Sequence, residues 1–463
     1  MEAFQIEGQL VDLSRGSIYG ASVLVENGCI AGITPINRTR GPFIVPGFVD
    51  AHGHIESSML VPTEFARLAV TPGTVATVSD PHEIGNVLGV EGVEFMVANG
   101  QKVNFKYCFG APSCVPATPF ETAGASIDEK DVAHLLSHPE IKYLAEMMNW
   151  PGVLNRDPQV MSKISIAQRL NKPVDGHAPG LLGEQATKYA SAGISTDHEC
   201  FTLEEALDKL SAGMHVIIRE GSAAKNFDEL IPLLPEYADK IMFCSDDMHP
   251  DSLLKGHINL LVQRAVAFGI DPMIALRVAC VNPVVHYGLE VGLLQQGDPA
   301  DFLLVKDLKD FEVQKTYISG QLVSSNGKSL LSSEPTHCPN NFPINSKQAK
   351  DFRLVSKHKN IRVIVAEDGQ LVTSEKIVPA KSIDGLLVSD VERDILKIAV
   401  VNRYHPSPVA LSFVQNFGLK EGAIASSVAH DSHNIIVVGV DDQSICRAVN
   451  LIIKNKGGVA AIS

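Results

Sequence analysis

Residues 43–54 read FIVPGFVDAHGH, an apolar run that ends in two histidines one residue apart. A continuous apolar run of this kind suits a strand buried on both faces, as in a parallel sheet. Seven further runs share the pattern of an apolar stretch closed by a polar cluster. They are TVATVSDPHE (74–83), NFKYCFGAPS (104–113), KYLAEMM (142–148), PVDGHAP (173–179), ISTDHE (194–199), HVIIREGS (215–222) and IMFCSDD (241–247). Helix-like stretches separate them. Eight strands alternating with helices predict an α/β fold, a (β/α)8 TIM-like barrel over residues 46–290. In that fold the chemistry sits at the C-terminal strand ends. Here His, Glu and Asp recur at those ends.

On either side of the barrel the texture changes. FQIEGQLVDL (4–13) and SIYGASVLVENGCIAGITP (17–35) read as short strands with turns, and the pattern returns at DPADFLLVKDLKDFEVQKTYISGQLVSS (298–325). Residues 1–45 and 291–335 are therefore expected to form one small composite β domain from both flanks. SSEPTHCPNNFPINSKQ (332–348), rich in Pro, Ser and Asn, is the best linker candidate. Residues 345–463 read as a C-terminal α/β domain. Strand patterns there are IRVIVAEDG (361–369), LKIAVV (396–401) and NIIVVGV (434–440). Helical ones are PVALSFVQNFG (408–418) and QSICRAVNLIIKN (443–455).

Side chains two apart in a strand point the same way, so His52 and His54 can grip one metal ion from a strand end. His-x-His alone is a weak signal, but an apolar strand entering a barrel strengthens it. His177 and His198 each follow a strand-like run; two such histidines in one barrel with a His-x-His read as further ligands rather than structural residues. Asp246, after the last strand, can bind metal and hold the proton of an attacking water. Its neighbour Asp247 is expected to cap the next helix. Glu146 lies inside an apolar strand, where a carboxylate needs a partner; two bridged metal ions would supply one, and a cross-barrel salt bridge is the bland alternative. The six residues suffice for two divalent ions. Nitrogen and oxygen donors without thiolate suit manganese, iron or zinc. Arg219 and Ser222 could hold substrate or cap a helix. The polar stretch Ser426–Asn434, with His430 and His433, suggests a lid, an extra metal site or a structural turn.

Composition bounds the partners. The chain carries 39 Lys and Arg against 53 Asp and Glu, a net charge of −14, which disfavours duplex nucleic acid. No apolar run is long enough to span a membrane, and the first residues lack a basic region followed by an apolar one. Eight scattered cysteines without a CxxC are those of a reduced, cytoplasmic protein rather than a disulfide framework. His82-Glu83-Ile84-Gly85-Asn86 lacks the second histidine of HExxH. The HxE…PCxxC pattern of zinc nucleobase deaminases is also missing, as is a Walker A loop.

PGFVDAHGHIESSM (46–59) resembles the first-strand motif of the amidohydrolase superfamily, and more narrowly that of the adenine deaminases. The likeness continues through TVSDPHEIGNVLG, GAPSCVPAT, LAEMMNWPGV, DGHAPGL, REGSAAKN, FCSDDMHPDSLLKGHI and ASSVAHDSHNIIVVG, in order over nearly the whole chain. HxHIESS and SVAHDSHN are the most specific strings. The resemblance implies deamination of adenine to hypoxanthine and ammonia, in purine salvage, by a metal-activated hydroxide attacking C6. It implies a binuclear centre, with His52, His54 and Asp246 on one ion and His177 and His198 on the other. Glu146 would take the bridging place that a carbamylated lysine fills in many relatives. Asp246 would shuttle the proton, and Glu83 would be the acid that serves the ring nitrogen. Glu56, Ser57, Arg219, Ser222, His430 and His433 are candidates for binding the purine. A homo-oligomer, a dimer, is expected. Members of the family continue beyond the glycine pair near residue 458, so the third domain is expected to be short or truncated. A cyclic amidohydrolase of hydantoinase or dihydroorotase type is the alternative; it usually offers a strand-4 lysine, whereas Lys142 falls at the start of that strand. A non-catalytic metal-binding relative would require a lost ligand, and none of the six is lost.

Overall fold

The computed structural model describes residues 2–37, 40–333, 335–355, 358–368 and 372–463; Glu334 of the linker candidate and Gly369 of the first C-terminal strand pattern lie outside them. The chain divides into two compact units. The first comprises residues 1–82, 90–114 and 127–337, and the second residues 83–89, 115–126 and 338–463.

The first unit contains the barrel. Its strands are β1 (Phe48–Gly53), β2 (Thr74–Ser79), β3 (Lys106–Ala111), β4 (Ile141–Met147), β5 (Val174–Gly176), β6 (Thr196–Asp197), β7 (His215–Arg219) and β8 (Ile241–Cys244). Seven lie within the apolar runs, and β4 starts one residue ahead of its run, at Ile141. Neighbours pair in parallel from β1 to β5 and from β6 to β8. The ring joins at β5–β6 through Ser195 N–H to Val174 O, 2.8 Å. It joins at β8–β1 through Asp246 N–H to His52 O, 3.0 Å, and His54 N–H to Asp246 O, 3.3 Å.

The strands read as unbroken apolar runs because both of their faces are covered; every residue of β1 and of β2 is buried. Ala51, Val78, Cys108, Tyr143, Ala145, Ile217, Met242 and Cys244 fill the interior together. Gly110 is required by that packing, since a Cβ there would stand 2.6 Å from the Tyr143 ring. Helices start at readable caps. Asp128, for example, accepts from the amides of Lys130 and Asp131 and forms a capping box with Asp131.

An eight-stranded sheet in the same unit joins the two flanks. Strands Phe4–Asp12, Ser17–Glu26, Cys29–Pro35 and Phe43–Pro46 come from the first flank, and Phe302–Val305, Val313–Ile318, Gln321–Ser325 and Lys328–Ser329 from the second. The seam is the antiparallel pairing of Phe302 with Pro46 through Val305 with Phe43. Leu10, Val23, Ile44, Phe302 and Tyr317 share its core.

The second unit is built on β9 (Asn360–Val365), β10 (Ser374–Pro379), β11 (Ile395–Val401), β12 (Ala410–Gln415), β13 (Ala423–Ser426), β14 (Ile435–Gly439) and β15 (Val459–Ile462). Their order in the sheet is β10-β9-β12-β11-β14-β13-β15. Helix α1 (Asp442–Asn455) begins at Asp441, which accepts from the amides of Gln443 and Ser444. It buries Ile445, Ala448, Val449 and Ile452 against Ala399, Val401, Ala425 and Val437. One expectation fails here: residues 408–418, read as helical, contain strand β12. Phe413 and Val414 are buried in separate clusters, so its apolar residues serve the two faces of a sheet and not one helical stripe.

Among the described residues no helix is long and apolar enough to cross a membrane. All eight cysteines are free thiols; six are buried, and Cys29 and Cys338 are exposed.

At the entry end of β7, the rings of His215 and His286 lie 4.5 Å apart. Burial, then His215 and Lys240, depress His286 to about 3. Burial and Lys240 depress His215 to about 4. A depressed histidine favours folding above its unfolded pKa, and that contribution is lost as pH falls through the folded value. Between pH 7 and pH 4 this pair should cost about 2 kcal/mol of stability after allowance for partial exposure. His286→Gln should flatten that part of the urea-denaturation profile; an unchanged slope would show that the pair does not titrate on unfolding.

Candidate metal centre

His52 is the fifth residue of β1, and His54 follows the strand directly. Their Nε2 atoms converge to 3.2 Å. His54 Nδ1 bonds the carbonyl of Asp80, 3.0 Å away, which points its Nε2 inward. Asp246 follows β8 with φ 51°, a left-handed conformation uncommon outside glycine. Its predecessor is pinned by a residue of the opening motif: Asp50 accepts from Ser245 N, 2.8 Å, and from Ser245 Oγ, 2.6 Å. Asp246 Oδ1 thereby lies 3.4 Å from His54 Nε2 and 3.7 Å from His52 Nε2.

Glu146, on β4 and 2% exposed, faces both sets of histidines. Its Oε2 is 2.8 Å from His177 Nδ1, 3.1 Å from His198 Nε2 and 4.0 Å from His52 Nε2. Its Oε1 is 3.5 Å from His54 Nε2. The six residues read from the sequence thus come together within the first unit, as His52–His54–Asp246 and His177–His198 with Glu146 between. Burial alone would raise the Glu146 carboxyl, but the His177 and His198 imidazoles hold it well below the ordinary range. Burial likewise lowers His177, while Glu146 and Glu199 more than offset this and bring it to about 9.

Several buried polar groups at this end carried no assignment in the sequence reading. His82 Nδ1 lies 2.9 Å from Asp80 Oδ2 and 3.3 Å from Glu146 Oε1. Glu199 Oε1 lies 3.5 Å from both His177 Nδ1 and His198 Nε2. Both follow strand ends, in SDPHE and TDHE, and that position was the available signal. Lys209, fully buried, donates to Ala178 O, Asp197 Oδ1 and Glu205 Oε1 at 2.7, 2.9 and 3.0 Å. Asp197 Oδ2 accepts from Ala178 N, 2.8 Å. One ammonium therefore ties together the turns that carry His177 and His198.

Other expectations shift. The guanidinium of Arg219 pairs with both oxygens of Glu199 and reaches Asp246 Oδ2 at 2.7 Å. It holds Asp246 in place rather than capping a helix. Asp247 caps no helix either. The next helix starts at Pro250 with His249 in the cap position, and Asp247 instead accepts from Ser57 Oγ, 2.6 Å. Ser222 Oγ accepts from His249 N, 2.8 Å, and lies 3.2 Å from Ser252 Oγ, so it braces the loop after β8. Glu56 and Ser57 stand on the short turn Ile55–Ser58 after β1. Glu83, His430 and His433 belong to the second unit, where Glu83 Oε1 faces His430 Nδ1 and Oε2 faces His433 Nε2.

Four imidazoles and two carboxylates aimed at one another at the end of the barrel suit cations better than they suit one another. Of the four histidines, His177 is the most exposed. Imidazole and carboxylate without thiolate are donors for borderline divalent metals, so the residues present fit such ions.

Comparison with known proteins agrees with this geometry. Residues 43–323 match the amidohydrolase family, and residues 370–463 match the adenine deaminase C-terminal domain. The chain is 54% identical to the adenine deaminase of Salinibacter ruber over 99% of its length and 84% of that protein. It is 53% identical to that of Sulfurovum sp. over 99% and 85%, and 50% identical to that of Methanosarcina mazei over 98% and 84%. Among solved structures, the N-acetyl-D-glucosamine-6-phosphate deacetylase of Mycobacterium smegmatis superposes with a TM-score of 0.54 at 14% identity, covering 69% of this chain and all of that one. The N-isopropylammelide isopropylaminohydrolase of Burkholderia multivorans gives 0.52 at 17% identity, over 71% and 100%. These likenesses are of fold. The family match covers most of the chain and the relatives are half identical to it: the chain belongs to the amidohydrolase family of metal-dependent hydrolases and, within it, to the adenine deaminases.

Proposed function

We propose that this chain hydrolyses adenine to hypoxanthine and ammonia, with a binuclear centre held by His52, His54, Glu146, His177, His198 and Asp246. The observation that carries the reading is the placement of Glu146, one buried carboxylate facing two separate histidine sets. Divalent ions there, manganese or iron foremost and zinc next, would lower the pKa of a shared water and supply the nucleophile at neutral pH.

The chain's own groups do the rest. Burial would raise the Asp246 carboxyl, but His54 and Arg219 hold it well below the ordinary range. It therefore stands ionised, ready to take a proton. Arg219 occupies Oδ2, which leaves Oδ1, the oxygen turned toward His52 and His54, to accept the proton of the attacking water. The same oxygen delivers it to the departing amine at C6. Glu56 and Ser57, on the turn that follows β1, are assigned to the purine edge, whereas Ser222 is engaged in bracing the loop after β8. The free thiols support a reducing, cytoplasmic setting, as expected of a purine-salvage enzyme.

The experiment is ammonia release from adenine, guanine, cytosine and hydantoin, with metal-free protein and with added manganese. Adenine alone should be turned over, and only with metal. Turnover of hydantoin without adenine would favour a cyclic amidohydrolase and overturn the proposal.

A further inference from the structure

The loop Ser427–Asn434 carries two histidines that the binuclear centre does not use. It runs between β13 and β14 of the second unit. His433 N–H donates to Ala429 O at 2.7 Å and closes the loop on itself. Asn434 fastens one end, giving Nδ2–H to Thr122 O at 2.7 Å and accepting on Oδ1 from Arg403 N at 3.1 Å. Tyr404 Oη donates to Ser432 O at 2.6 Å, and Arg403 Nη1 to His433 O at 3.3 Å. The loop is thus a built structure, tied to two other segments of its own unit, at Thr122 and at Arg403–Tyr404.

His430 and His433 both turn their rings to one carboxylate. Glu83, 2% exposed, presents Oε1 to His430 Nδ1 and Oε2 to His433 Nε2. The donor atoms lie within 4.8 Å of one another. The side chain of His433 is 11% exposed and that of His430 is 30% exposed. The second nitrogen of His433 decides the chemistry. Its Nδ1 lies 3.3 Å from Ser427 O, and a carbonyl can only accept, so the hydrogen belongs on Nδ1. Nε2 is then the nitrogen turned to Glu83 Oε2. A ring nitrogen and a carboxylate oxygen turned to each other in a buried site are joined by a cation, a proton or a metal ion, and a second imidazole on the same carboxylate completes a three-donor set that a metal ion fits. The surroundings favour one. Glu121 and Asp431 are near enough that burial, and then the Asp431 charge, raise the Glu121 carboxyl.

We propose that Glu83, His430 and His433 bind a divalent transition-metal ion, one further ion per chain, separate from the binuclear centre. Two imidazoles and a carboxylate are a borderline donor set, suited to zinc, iron or manganese and poor for calcium or magnesium. The partly exposed His430 side leaves room for water in the remaining positions. The ion clamps the Ser427–Asn434 loop to the segment 83–89 inside the second unit. Its donor set takes Glu83 out of the expected role of ring-nitrogen acid, since a carboxylate shared by a metal holds no proton to give.

The test is a zinc count on the full-length chain. Metal-free protein is loaded with zinc, desalted and weighed by native mass spectrometry. His433→Ala, His430→Ala and Glu83→Gln should each carry one ion fewer than the unsubstituted chain. The difference between proteins is the readout, so it stands even if the binuclear assignment fails. Glu146→Gln separates the two readings, because it should lose ions of the barrel and keep this one. Cobalt loading gives an independent signal: the variants should lose one component of the visible d–d absorption. Circular dichroism and melting curves guard against misfolding, and His430→Gln is the mildest replacement should alanine unfold the loop. Equal ion counts in the folded variants would overturn the proposal. So would a Glu83→Gln protein that keeps its full count but loses more than about 100-fold in kcat, because Glu83 would then be the acid.

Discussion

Asp246→Asn is expected to lower kcat for adenine deamination about 1,000-fold, within the range that loss of a general acid–base group produces. The carboxylate has two separate tasks on its two oxygens. Oδ2 is held by Arg219 at 2.7 Å, while Oδ1 faces the His52 and His54 nitrogens at 3.7 and 3.4 Å. An amide keeps the shape and loses both functions. It cannot take a proton at neutral pH, and whichever end carries the NH2 group meets either a guanidinium or the metal side. Kinetics should be measured at saturating manganese, with ion content determined on the same sample, so that lost chemistry is separated from lost metal. Near-normal turnover at full metal content would refute the proton-shuttle role.

Glu146→Gln should strip the centre itself. The wild-type carboxylate stands between two groups of imidazoles, within 2.8 to 4.0 Å of five ring nitrogens, that of His82 included. Removing its charge takes away the one carboxylate that faces both sets, leaving Asp246 with His52 and His54 and Glu199 with His177 and His198. Loss of even an outer partner of a metal ligand costs about 10 to 100-fold in affinity, and Glu146 is proposed as a direct ligand. Retained metal should fall below half of the wild-type amount, and activity should fall at least as far as in the Asp246 variant. The pH dependence of loading should change in parallel. In the metal-free chain, Glu146 and Glu199 hold His177 at about 9 against the opposing effect of burial. Metal must displace that proton at neutral pH, so wild-type loading should tighten as pH rises toward 9. With glutamine at 146 the proton is held less tightly, and the pH dependence should flatten. A variant that loads both ions with an unchanged pH profile would exclude Glu146 from the centre.

The barrel was legible because its strands are covered on both faces. Such strands must be apolar throughout, and their C-terminal ends, where the packing stops, are where His52, His177, His198 and Asp246 stand out. The third region was less legible. Residues 408–418 have apolar residues that satisfy a helical count, and only their pairing with neighbouring strands made β12 of them. Capping was misread at Asp247 for a similar reason: the helix starts later, at Pro250, and a nearer donor, Ser57, claimed the carboxylate.

By itself the sequence determined the fold class and the family and named the candidate metal ligands, because these depend on periodic burial and on short local strings. Tertiary structure alone decided which acids serve which bases. Arg219 met Asp246 and Glu199, Lys209 joined two ligand-bearing turns, and Glu83 met a pair of histidines about 350 residues further on. Pairings of this kind carry no local signal. Each side chain alone is an ordinary polar residue, and only folding brings its partner within reach and removes the water that would otherwise satisfy it.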